Sequence, residues 1–143
     1  MRLQKNSAGK VQVFDLVRKK YVAFTPEEEV RQSLIVYLNE SLHIPIASMT
    51  VEKSFTLYGK EHRPDLIVYN KKAQAVLLVE CKAPHIPITM VTQEQIARYQ
   101  LIKKVPYWIL TNGKECHAYQ IDLHTSEIRT LHSLPDWNQL NIE

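Results

Sequence analysis

The sequence predicts a single α/β domain, a mixed β-sheet with helices packed against it. Three observations predict it. The chain has 143 residues, enough for one ordinary core. Its segments follow the order helix, three strands, helix, strand, closing hairpin, which suits a sheet with helices on its faces. One strand centre, Val76-Leu77-Leu78-Val79, is apolar without alternation, so both of its faces must be covered.

Each element has its own reason. Residues 1–10 are polar and predicted to form a flexible end, with the domain running over 11–135 and a tail over 136–143. Helix signals are sparse from Val11 to Phe24 and begin at Thr25-Pro26. Thr25 suits an N-cap, Pro26 the first helical position, and Glu27, Glu28 and Glu29 complement the positive helix end. That helix is expected to reach Glu40, with Val30, Leu34 and Leu38 on one stripe. Strands are predicted over Val51 to Leu57, Asp65 to Tyr69 and Ala75 to Lys82, separated by turns at Tyr58–His62 and Asn70–Lys72. Thr89 to Lys104 reads as a second helix with Val91, Gln95, Tyr99 and Ile102 on one face. Pro106 to Leu110, Cys116 to Asp122 and Glu127 to His132 complete the sheet.

Composition narrows the function classes. Lys and Arg number 18 against 15 for Asp and Glu, a mild excess that permits a polyanionic partner without demanding one. Two cysteines cannot build a four-cysteine zinc site, and the six histidines lack paired ligand spacings. There is no apolar run long enough to span a membrane, no secretory pattern and no GxxxxGK[ST] phosphate loop. A cytoplasmic protein without a nucleotide-driven motor is the expectation.

Three ionisable residues stand on buried strands. Asp65 opens one strand directly after Pro64, and Glu80 and Lys82 end the next. Strand alternation points Glu80 and Lys82 to one side and Cys81 to the other, where Cys81 reads as a core residue. A meander of adjacent strands would bring Asp65 beside Glu80. Such a group is costly to bury unless it is paired or holds a metal. Taken alone, the E-x-K strand end reads first as a salt bridge and only second as catalytic. Glu27 is expected on the inward stripe of the first helix with Arg31 at i+4, while Glu28 and Glu29 point away. Gln95 and Tyr99 are i, i+4 neighbours on the inner face of the second helix, and an inward amide needs partners.

Pro64-Asp65 followed by Glu80-Cys81-Lys82 resembles the PD-(D/E)xK nuclease signature, and Gln95-xxx-Tyr99 resembles the QxxxY extension of its RecB-like branch. Phe14-Asp15, Arg18 to Val22, Thr25-Pro26-Glu27-Glu28 and Val30-Arg31-Gln32 are similar to the N-terminal nuclease domain of type I restriction enzyme R subunits. Val79 to Pro84, Gln95 to Tyr99 and Leu110 to Gly113 fit the same family. The resemblance implies a restriction-endonuclease-like fold and a metal-dependent DNA endonuclease using Mg²⁺ or Mn²⁺. On that reading Asp65, Glu80 and the Cys81 carbonyl hold the metal, and Lys82 stabilises the developing charge. Glu27 is an outer ligand, Gln95 orients Lys82 or the phosphate, and Tyr99 packs behind it or touches the DNA backbone. Lys60 and Arg63 head a set of candidate phosphate contacts that includes Lys19, Lys20, Lys71 and Lys72. Helicase or specificity subunits are implied partners, and a homodimer would suit cleavage of both strands. A catalytically idle module that keeps the fold and needs a partner is the alternative.

Overall fold

The computed structural model describes residues 1–53, 55–57, 60–88, 105–125 and 127–142, with 55–57 and 60–62 described by backbone only. The predicted helix over Thr89 to Lys104, with Gln95 and Tyr99, lies outside the described residues.

Leu3–Lys5 (β1), Val11–Asp15 (β2) and Lys20–Ala23 (β3) form an antiparallel three-stranded sheet in the order β1-β2-β3. The flexible end predicted over residues 1–10 therefore contains a paired strand, with Leu3 opposite Val13 and Lys5 opposite Val11. The β1–β2 turn is closed by Asn6, whose side-chain oxygen accepts from the Ala8 and Lys10 N–H groups, and by Gly9 at φ 78°.

Pro26–Glu40 (α1) starts as its caps require, with the Thr25 hydroxyl accepting from the Glu28 N–H at 3.0 Å. Its buried side chains are Glu28, Val30, Arg31, Gln32, Ile35 and Leu38. The inward face is thus broader than the Val30–Leu34–Leu38 stripe and includes charged side chains.

Six strands make the main sheet, in the order β11-β10-β9-β8-β7-β4. They are Met49–Val51 (β4), Leu66–Tyr69 (β7), Ala75–Cys81 (β8), Tyr107–Thr111 (β9), Cys116–Ile121 (β10) and Ile128–Leu131 (β11). Phe55–Leu57 (β5) and Lys60–His62 (β6) form a separate hairpin. The single strand predicted over Val51 to Leu57 is therefore two strands in two sheets. The break falls at Glu52, whose φ of 53° ends extended backbone.

β8 runs antiparallel to β7 and parallel to β9. Its uniform apolar centre serves two cores. Leu77, Val79 and Cys81 join Val30, Ile35, Leu38, Leu66 and Ile109 on the α1 side. Leu78 joins Ile67, Trp108, Leu110, Tyr119 and Ile121 on the other. Trp137–Leu140 (α2) turns the predicted tail into a capped helix. Asp136 and Gln139 form a reciprocal capping box, and Leu140 is buried in the α1-side core.

Candidate active site

Antiparallel pairing of Leu66 with Val79 brings the start of β7 beside the end of β8. Asp65 and Glu80 are the next residues outward on each strand, so the register itself delivers two acids to one sheet end. The Asp65 Oδ2 accepts from the Cys81 N–H at 2.6 Å, which locks that carboxylate onto the end of β8. Asp65 is 16 % exposed at its side chain, so the pair is reachable from solvent yet poorly hydrated.

Glu80 carries the clearest electrostatic mark. Burial pushes its carboxyl up to about 8 from an ordinary 4.5, reinforced by the Asp65 charge and a carboxyl–carboxyl hydrogen bond to Asp65. The Lys82 ammonium opposes that rise and Glu27 adds to it. Lys82 is held by its N–H donating to the Thr111 carbonyl at 2.8 Å on β9. The Cys81 side chain is buried in the α1-side core, where desolvation pushes its thiol far up. Its N–H faces Asp65, and in an extended strand the carbonyl of the same residue faces the same edge.

The first helix departs from expectation. Glu28, not Glu27, is the inward acid: it is 4 % exposed, whereas Glu27 is exposed at the surface. Arg31 pairs with Glu28 at i+3 rather than with Glu27 at i+4. The reason lies in the neighbouring β2–β3 turn, which the stripe argument ignored. Arg18 from that turn also grips Glu28, and its Nε grips Asp15. Asp15 is fully buried. Burial alone would raise its carboxyl, but Arg18 and the N–H groups of Arg18 and Val17 hold it below the ordinary range. Arg31 then reaches Glu52 at 3.3 Å and Asp65 at 3.8 Å. Desolvation would lower the Arg31 guanidinium, but Glu28, Asp65 and Glu52 together raise it, so it remains a full cation.

Alternating charges therefore run Asp15, Arg18, Glu28, Arg31, Asp65, with Glu52 bridging both arginines. Sequence reasoning missed this chain. Its signal was the i, i+3 spacing in Asp15–Arg18 and Glu28–Arg31, but only the docking of the turn on α1 joins them. Glu28→Ala is expected to destabilise the fold by about 3–5 kcal/mol, because it removes the buried carboxylate that both Arg31 and Arg18 hold. Glu27→Ala is expected to change stability by less than about 0.5 kcal/mol. Urea unfolding of both variants checks the contrast.

Arg63 is exposed, two residues before Asp65. Lys60 lies on β6, where only its backbone is described. Lys71 and Lys72 occupy the β7–β8 turn, at the opposite end of the hairpin from Asp65 and Glu80. A seven-residue strand spans roughly 20 Å, so these two lysines cannot touch the same phosphate as the acids.

Among the described residues no group of three His, Cys, Asp or Glu side chains converges as a metal cage. The donors at Asp65 and Glu80 are hard carboxylate oxygens. That fits a small divalent cation that keeps several waters, better than a soft-ligand metal.

The sheet order, the two-sided core and the acid pair at one sheet end define a restriction-endonuclease-like α/β domain. Residues 26–135 match the family of type I restriction enzyme R protein N termini, and the chain belongs to that family. Its fold is also similar to a fragment provisionally assigned as an HsdR subunit of a type I restriction enzyme from Vibrio vulnificus YJ016. Identity is 20 %, the TM-score is 0.58, and 82 % of this chain is covered. The present chain spans 24 % of that relative's length. A protein provisionally assigned as a nuclease from Anabaena variabilis ATCC 29413 aligns over 92 % of this chain and 80 % of its own, at 10 % identity and a TM-score of 0.48. No curated protein matches the sequence. Among the described residues no helix is long and apolar enough to cross a membrane.

Proposed function

We propose that this chain is a metal-dependent endonuclease domain that hydrolyses phosphodiester bonds in DNA. The observation that carries the reading is the acid pair: Asp65 and Glu80 meet at one end of two adjacent strands, where burial and the Asp65 charge raise the Glu80 carboxyl, with Lys82 beside them. A scaffold has no use for an arrangement that costs several kcal/mol to bury. Asp65, Glu80 and the Cys81 carbonyl would hold Mg²⁺ or Mn²⁺, which when bound polarises the phosphate and acidifies water.

The chain's own groups do the rest. Asp65 is fixed by the Cys81 N–H and kept within reach of Arg31, so its orientation is set before substrate arrives. Glu80, whose carboxyl is raised by burial and by Asp65, would offer its oxygens to a cation in the ionised form. Lys82, held by β9, places a positive charge where negative charge develops on the phosphoryl group. Glu27 sits at the exposed rim, close enough to act on Glu80 and suited to an outer contact. Gln95 would orient Lys82 or the phosphate and Tyr99 would contact the backbone, roles that rest on the family resemblance.

Membership of the type I restriction R-protein family supports a second element in the reading, a dependence on helicase or specificity partners for efficient cutting. Plasmid nicking with Mg²⁺ or Mn²⁺ is the test. The wild-type chain is expected to nick and Asp65→Ala is not. Equal nicking by both places the activity elsewhere, and no nicking by either, with or without partner subunits, supports the idle module.

A further inference from the structure

We propose that the outer face of the β1–β3 sheet is a docking surface for a single-stranded nucleic-acid segment, an inference that rests on the chain acting on nucleic acid. Charge is the first observation. Six of the 18 cationic side chains but one of the 15 acids lie in residues 1–24, so this piece carries +5 and the remainder −2. The one acid, Asp15, is fully buried and taken up by Arg18. Lys10 and Lys19 stand exposed in the two turns, and Lys5 and Lys20 on the strands.

The arrangement of planar groups is the second. Val13 and Asp15 are fully buried, so alternation turns Gln12 and Phe14 to the opposite face. The register adds Gln4 and Tyr21 there. The Phe14 and Tyr21 rings stand 5.2 Å apart at 64°, and the Arg2 guanidinium lies 4.0 Å over Phe14 and 5.7 Å from Tyr21. Arg2 is tied in place by its carbonyl, which accepts from the Phe14 N–H at 2.8 Å. Beside it the amides of exposed Gln4 and half-buried Gln12 bond to each other at 3.0 Å. Guanidinium, rings and amides thus form a pre-ordered cationic platform, the composition on which unpaired bases stack while lysines meet phosphates. A duplex hides its base faces, so the platform fits a single strand. The same sheet reaches Asp65 through Arg18, Glu28 and Arg31, which fixes the platform relative to the acid pair.

The test is fluorescence anisotropy of a labelled oligothymidylate and of its duplex, in chelator, on the full chain. Arg2→Glu with Gln4→Glu changes only exposed positions, and Phe14→Leu with Tyr21→Leu keeps the apolar packing while removing the rings. Each double variant is expected to bind the single strand about tenfold more weakly. The loss in the charge-reversed variant shrinks with added salt, while the leucine variant's persists. Wild-type affinity in both variants overturns the proposal. Loss confined to the charge-reversed variant, or equal on strand and duplex, also overturns it in favour of a backbone contact. Binding in chelator is independent of hydrolysis. Sheet-dependent binding without cutting therefore fails the nuclease reading alone, and cutting without sheet dependence fails this one alone.

Discussion

Lys82→Ala is expected to slow metal-dependent nicking about 10²–10³-fold while leaving metal affinity within a few-fold of wild type. That is the usual loss when one preorganised charge aimed at a transition state is removed. The ammonium opposes the rise of the Glu80 carboxyl, so its removal leaves the acid pair still harder to ionise. A small weakening of metal binding toward neutral pH should accompany the rate loss. Asp65→Ala behaves differently, because it removes both a donor oxygen and the acceptor of the Cys81 N–H. It is expected to lose metal binding and cutting together. Isothermal titration with Mn²⁺ beside the nicking assay separates the two. Parallel loss of metal binding in both variants would show that Lys82 is structural.

The second large effect is a pH dependence that metal reverses. Glu80 has a folded value near 8 against an ordinary 4.5, so the metal-free native state holds a proton the unfolded chain gives up. That contribution to stability is complete below about pH 4.5 and is lost as pH rises through about 8. Within the window each pH unit costs up to about 1.4 kcal/mol for one proton. The melting temperature in chelator is therefore expected to fall from pH 5 to pH 8.5. Saturating Mg²⁺ should raise it far more at pH 8 than at pH 5, because cation and proton compete for the same oxygens. Glu80→Gln, which cannot ionise, should flatten both trends. A pH-independent melting curve for the wild type would show that the acid pair is not desolvated.

Much of the fold could be read from local chemistry. Thr25-Pro26 and the acids behind it determine where α1 begins, because capping is settled within four residues. The apolar run in β8 determines a strand covered on both faces, and Pro64-Asp65 with Glu80-Cys81-Lys82 determines two strand ends rich in charge. Alternation alone separates Cys81 from Glu80.

What required tertiary structure is every property set by packing between distant segments. The acids meet because the register pairs Leu66 with Val79, and no local pattern specifies a register across a turn. Leu3–Lys5 is polar by sequence and becomes a strand only because β2 offers it an edge. Glu28 replaces Glu27 as the inward acid because Arg18, ten residues away, docks onto α1 and supplies a second cation. Helical periodicity fixes which residues share a face; the surface that face meets, and so whether a charge there is buried and paired, is decided by the rest of the chain.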